Sequence, residues 1–276
     1  PDVLFNSHLD TVPVIEGSRF PPLELTIDGD KVYGRGSCDI KGAAACLLQV
    51  AETTDEPLAL LFTTDEEGAS GVCVAEFVRS EQCKAFKQVV VTEPTDCLAV
   101  SSHRGYLSVK GEFSGKSGHS SEQRALQDNA LHKLSSWVAK AVTAAEQMDH
   151  IGRRPCFNVG EVHGGIKSNV IADMARLHWS ARLSPGDSNK EFLDVMAGLD
   201  SSGSASWHVP FSGPPLPTGG ADTSKAQAFI EQHGLEAGPV VSFWTEASLF
   251  AQAGVPAIVL GPGNIAQAHV VDEWVS

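Results

Sequence analysis

The chain has 276 residues, 42% hydrophobic and 20% charged, a globular composition that excludes disordered and fibrous folds. Its length suits one large domain or two of ordinary size. With 20 Lys+Arg against 34 Asp+Glu, the net charge is −14. Such a chain repels phosphate, which sets aside nucleic acid and anionic membrane surfaces as partners and leaves carboxylates spare for metal.

The first hundred residues alternate strands and helices. Val3 to Asn6 predicts a short strand, and Asp28-Gly29-Asp30 between Leu25–Ile27 and Lys31–Tyr33 signals a hairpin. Ala43–Ala51 predicts a helix, and Leu58–Thr64 a near-continuous apolar strand of the kind found inside parallel sheets. Val72–Arg79 suits a helix and Val89–Val91 another buried strand.

The middle of the chain differs. Tyr106–Phe113 alternates like a half-exposed strand, and Arg124–Met148 reads as one long helix. Strands at Phe157–Val162 and Ala175–Leu183, a helix at Lys190–Leu199 and a strand at Trp207–Phe211 complete the order β-α-β-β-α-β of a small split βαβ sandwich. After Pro214-Pro215 the α/β rhythm returns, with helices at Ala226–His233 and Ser248–Ala253 and a strand at Ala257–Leu260. The expected architecture is an α/β domain in two parts, 1–104 and 213–276, interrupted by an inserted α+β, ferredoxin-like domain at 105–212.

The six cysteines include no C-x-x-C pair, so they read as reduced thiols of a cytosolic protein rather than a zinc cluster or a disulfide framework. The longest uncharged run, between Glu246 and Asp272, is broken by glycines, prolines and amides and is no membrane span. No signal-peptide pattern is present. Pro1 stands where an initiator Met would be and a strand begins at Val3, so flanking segments of a longer chain are expected to be missing.

Five segments carry chemistry. His8-Leu-Asp10 lies at the end of the first strand, where alternate residues share a face; one could bind metal while the other orients it, or His8 could be an ordinary strand-end histidine. Gly34-Arg-Gly-Ser-Cys-Asp39-Ile-Lys-Gly42 lacks the phosphate-loop pattern; Asp39 is either a helix N-cap or a metal carboxylate on a loop that allows close approach. Thr63-Thr-Asp-Glu66-Glu67-Gly68 follows a buried strand. Adjacent glutamates there repel unless a cation or a shared proton intervenes, and one as ligand with its neighbour as general base is economical; a solvated acidic turn is the bland alternative. Glu93-Pro94 ends another buried strand, and Ala268-His269 stands near the end. Together His8, Asp39, Glu67, Glu93 and His269 match two closely spaced zinc ions sharing one carboxylate.

In order, HLDTVP, GRGSCDIKG, TTDEEG, VTEP and AHVVDE resemble the dizinc amidohydrolase family of acetylornithine deacetylase, succinyl-diaminopimelate desuccinylase, aminoacylase and carboxypeptidase G. FWTEASLF (243–250) and GPGNIAQAH (261–269) are similar to its N-acetylcitrulline and N-acetylornithine deacetylase branch. The resemblance implies a zinc-peptidase-like catalytic domain, with a mixed sheet flanked by helices, and an inserted dimerisation lid. It implies Asp39 bridging two Zn2+ (Co2+ or Mn2+ able to substitute), His8 and Glu93 on one ion, and Glu67 and His269 on the other. Glu66 would be the general base, Asp10 would orient His8, and His119 in GKSGHSS (115–121) would reach the partner subunit's site in a homodimer. Arg104, Asn169, Arg182 and Thr245 would contact substrate. Ala172 departs from the proline many relatives carry. The implied activity is hydrolysis of an N-acetyl-L-amino acid, N-acetylornithine or N-acetylcitrulline, in cytoplasmic arginine biosynthesis. A desuccinylase, a dipeptidase and a non-catalytic relative are the alternatives. His103, His132, His150, His163, His178, His208 and His233 receive no role, and Trp137, Trp179 and Trp207 read as core or interface.

Overall fold

In chain order, strand β1 (Val3–His8) leads to the hairpin β2 (Thr26–Asp28) and β3 (Lys31–Tyr33), an irregular turn at Ser37–Lys41, and helix α1 (Gly42–Thr53). Next come β4 (Ala59–Thr63), α2 (Val72–Phe77), α3 (Glu81–Lys84) and β5 (Gln88–Val91). The middle holds β6 (Gly105–Ser114), α4 (Ala125–Asp128), α5 (Ala130–Asp149), β7 (Cys156–Gly164), β8 (Met174–Leu183), α6 (Asn189–Gly198) and β9 (Ala205–Gly213). The chain ends with α7 (Ser224–Gln232), α8 (Ala247–Gln252), β10 (Ala257–Val259), a 3₁₀ turn (Ile265–Gln267) and β11 (Trp274–Val275). The computed structural model describes residues 1–68, 72–149, 154–218 and 223–276; His150 lies outside them.

The chain divides into two compact units, one of Pro1–His103, Leu216–Val241 and Thr245–Ser276, the other of Arg104–Pro215 and Ser242–Trp244. Ser242–Trp244 joins the second unit although it lies within the expected 213–276 segment. Its Trp244 ring packs edge-on against Phe211 at 5.0 Å, and its indole N–H donates to the Pro214 carbonyl at 3.1 Å.

In the first unit four strands run parallel in the order β10-β5-β1-β4. Alternation sends Leu4, Val89, Val91 and Val259 into one core with Val74 and Phe250, and Val90 and Ile258 into another with Ala226 and Ile230. Both faces are covered, which is why Val89, Val90 and Val91 of β5 are all apolar. Expected as an interior strand, β4 is instead the edge: among the described residues it pairs only with β1, and four of its five residues are half-buried. The antiparallel strands β11, β3 and β2 form a separate sheet, and Val100 bridges antiparallel to Val259 of β10, so both strand directions occur.

The second unit is an antiparallel sheet ordered β7-β8-β6-β9 with one apolar face. Leu107, Val109 and Phe113 alternate along β6, and Leu177, Trp179 and Ala181 along β8, against Trp137, Leu134 and Met196. Trp137 donates its N–H to the Met196 carbonyl at 2.8 Å, satisfying the one polar atom of a buried indole. The expected single helix over Arg124–Met148 is broken at Asn129, whose backbone is extended. Its Oδ1 accepts the Leu131 N–H at 2.9 Å, a local bond that competes with helix continuation.

Candidate metal centre

Because β1, β4 and β5 are parallel, their carboxyl ends share one edge, and His8, Glu66–Glu67 and Glu93 leave the sheet there. Ligands of open α/β sheets bind at this edge. Asp39 arrives on the irregular turn, where the Asp39–Ile40 peptide is cis, and His269 on the loop after the 3₁₀ turn.

The His8 Nε2 lies 3.0 Å from Asp39 Oδ1 and 3.6 Å from Glu93 Oε1. The His269 Nε2 lies 3.1 Å from Asp39 Oδ2 and 2.7 Å from Glu67 Oε1. Two donor groups result, His8–Asp39–Glu93 and Asp39–Glu67–His269, with ligand atoms within 4.8 Å of one another in each. The first is buried; the second opens to solvent through His269, whose side chain is 50% exposed. Nitrogen and carboxylate donors arranged around one shared carboxylate fit a pair of divalent cations.

The clustered carboxylates and imidazoles shift one another's charge states. Burial opposes charge on His8, yet Asp39, Glu93 and Glu66 outweigh it and raise the imidazole to about 11. Hydrogen bonds to Asp39 and Glu67 lift His269 to about 10. Burial works against the Asp39 carboxylate, but the two histidines hold it down at about 2. Glu93 is pushed well above the carboxylate range by burial and then by Asp39. Glu66 rises to about 7 through burial and the repulsion of Glu67, Asp39 and Asp10, which exceed the pull of His8. A carboxyl poised near neutrality can both take and return a proton.

Asp10 lies beside His8, with its main chain the nearer group. The strand ends at His8, so the two side chains do not share a strand face. His8 Nδ1 meets the Asp10 backbone carbonyl at 3.0 Å, whereas the carboxylate stands 3.7 Å away. That carboxylate accepts the backbone N–H groups of Glu66 (3.3 Å), Glu67 (2.8 Å) and Gly68 (3.1 Å).

The expected substrate contacts fall in different settings. In the second unit His119 is exposed, with Nδ1 2.8 Å from the Ser121 hydroxyl, and its segment bridges to Val170 beside exposed Asn169. The Arg182 guanidinium stacks 3.9 Å over the Tyr106 ring, its pKa lowered by burial. Arg104 donates to the Arg154 and Arg182 carbonyls at 2.7 and 3.4 Å, so its guanidinium fastens strand ends. Thr245 does not face a cleft: it is fully buried, and its hydroxyl accepts the Ala247 N–H at 3.2 Å at the start of α8.

Sequence reasoning missed Glu246. It is 2% exposed, and its Oε2 accepts from Asn6 Nδ2 at 3.1 Å and from the Thr63 hydroxyl at 3.4 Å. Its signal was a single acid inside the otherwise uncharged FWTEASLF. All six cysteines are free of disulfides. Among the described residues no helix is long and apolar enough to cross a membrane.

A parallel α/β unit carrying two carboxylate–imidazole groups at its strand ends defines a metallohydrolase. The model of peptidase family M20/M25/M40 matches residues 4–276, and the chain belongs to that family. It is 39% identical to N-acetyl-L-citrulline deacetylase of Xanthomonas campestris pv. campestris, covering 100% of this chain and 77% of that protein. It is 32% identical to acetylornithine deacetylase of Vibrio vulnificus, covering 99% and 76%. The M20 family metallo-carboxypeptidase of Sulfolobus solfataricus shares the fold, with a TM-score of 0.70 at 18% identity over 99% of this chain and 80% of that one.

Proposed function

We propose that the chain is a cytoplasmic deacetylase of arginine biosynthesis. It hydrolyses the amide of N-acetyl-L-citrulline or N-acetyl-L-ornithine to acetate and the free amino acid, with two zinc ions that cobalt or manganese can replace. The observation that carries this reading is the pair of donor groups sharing Asp39, with Glu66 beside them near neutral pKa. His8, Asp39 and Glu93 would hold one ion, and Asp39, Glu67 and His269 the other. When bound, the cations supply Lewis acidity toward the amide carbonyl and toward water.

Glu66 takes the proton from the attacking water and returns it to the leaving amine, a shuttle that needs a carboxyl ionised in part at neutral pH. Arg182 offers the substrate's α-carboxylate a guanidinium already held by its stacking on Tyr106. His119 stabilises the oxyanion from the partner subunit of a homodimer formed through the inserted unit. The 39% identity to a citrulline enzyme, against 32% to an ornithine enzyme, favours the neutral ureido substrate.

The test is acetate release by zinc-loaded protein from N-acetylcitrulline, N-acetylornithine, N-succinyl-diaminopimelate and a dipeptide. Turnover of an acetylated substrate above the other two classes supports the reading. Preference for the succinyl compound or the dipeptide, or no turnover of any, overturns it.

A further inference from the structure

Glu273 is 3% exposed, and among the described residues every hydrogen-bond partner of its carboxylate lies in residues 35–39. Oε1 accepts the backbone N–H groups of Cys38 and Asp39, each at 3.0 Å. Oε2 accepts the Gly36 N–H at 2.9 Å and Arg35 Nη1 at 2.6 Å. The other arm of Arg35 returns to the Val270 carbonyl at 3.1 Å, and the Gly34 N–H donates to the Glu273 backbone carbonyl at 3.1 Å. Gly36 has φ 83, and a Cβ there would meet Thr11 Cγ2 at 2.6 Å, so the turn that brings these N–H groups together requires glycine.

Six bonds therefore join two segments more than 230 positions apart, one carrying Asp39 and the other His269. Asp39 donates its own N–H to Glu273 while its side-chain oxygens face His8 and His269. Lysine or arginine alone could not do this, because backbone N–H groups need an acceptor; a carboxylate offers lone pairs enough for four donors. Charged acceptors bind such donors more strongly than neutral ones do.

We propose that Glu273 is a positioning residue of the metal centre. It fixes Asp39 against His269 and so sets the affinity of the solvent-facing Asp39–Glu67–His269 site. The proposal rests on the two-cation reading above but not on any substrate.

The test is titration of metal-free protein with cobalt, followed by calorimetry and by visible absorption of the bound ions. Wild-type protein is expected to take two equivalents; failure to do so refutes the two-cation reading itself. With two bound, E273Q is expected to keep the first equivalent and bind the second about 10- to 100-fold more weakly, the usual range for residues that orient ligands, with a changed absorption for that ion only. R35M removes the same buried ion pair but leaves Glu273 its three backbone donors, and is expected to retain both ions at near wild-type affinity. E273D keeps the charge and withdraws it by one methylene, so it asks the same question if E273Q does not fold; its second-ion affinity should also fall. Wild-type affinity in E273Q or E273D, or equal weakening of both ions in E273Q and R35M alike, overturns the proposal.

Discussion

The Oδ2 of Asp10 accepts the backbone N–H of Glu67 at 2.8 Å, tying the turn after β4 to the residue just past β1. The same carboxylate takes the N–H groups of Glu66 and Gly68. Asp10 thus anchors the glutamate pair, and it touches His8 through its main chain. The Asp10→Asn variant keeps one acceptor oxygen and is expected to lose about tenfold in kcat/KM, Asp10→Ala about 100-fold, within the range for residues that orient metal ligands. Steady-state acetate release checks this. Equal loss in both variants would mean that the charge, not the acceptor geometry, matters.

The proposed reading gives the neighbours Glu66 and Glu67 separable roles, base and metal ligand. Glu66→Gln is expected to bind two metal equivalents and to lose roughly 10²- to 10⁴-fold in turnover, because an amide cannot accept the proton. Glu67→Gln is expected to weaken the solvent-facing ion, and Asp39→Ala to lose both. Metal content by elemental analysis, measured beside turnover, tells these outcomes apart. A Glu66→Gln protein with near-normal turnover would reverse the assignment.

Glu246 gives a pH signature. Burial, then repulsion from Glu66, lifts its carboxyl from the usual 4.5 to about 8 against the pull of His8. The folded chain keeps this proton where the unfolded chain has lost it. Its contribution to stability is therefore complete below pH 4.5 and is lost as pH rises through about 8. The Glu246→Gln variant, which keeps a carbonyl acceptor for Asn6 and Thr63, should be relieved of this loss. Melting temperatures of both proteins at fixed metal content, from about pH 5 to 9, should diverge in favour of the variant as pH rises. Parallel curves would remove Glu246 from the account.

These cases mark where the sequence was legible. Strand ends announce themselves through composition, so His8, Glu67 and Glu93 could be placed at one sheet edge, and the structure brings them to Asp39 and His269. Asp10, Glu246 and Glu273 act on backbone N–H groups or buried amides far away in sequence. A bond to a main-chain donor leaves no mark on the donor residue's identity, and no periodicity encodes it. The break at Asn129 was hidden for another reason: apolar spacing continues through it, and only the side-chain bond to Leu131 shows why the helix restarts.

Subunit exchange tests His119. Glu66→Gln protein mixed with His119→Ala protein is expected to recover activity at about a quarter of the wild-type sites, since half the dimers are mixed and each has one site with both groups. Mixed dimers verified by mass without activity would confine His119 to its own subunit.

The backbone of His269 is left-handed, with φ 57. That region disfavours side chains branched at Cβ and admits glycine, asparagine, aspartate and, less often, histidine. The loop therefore filters which side chains mutation can deliver to the proposed solvent-facing cation site. Aspartate tolerates this backbone, although its carboxylate reaches less far from Cβ than the imidazole Nε2, whereas a longer acid or a thiol would bear a backbone cost of about 1–2 kcal/mol. If His269 is a ligand as proposed, a harder, oxygen-rich set at this position would need aspartate together with an inward shift of the loop.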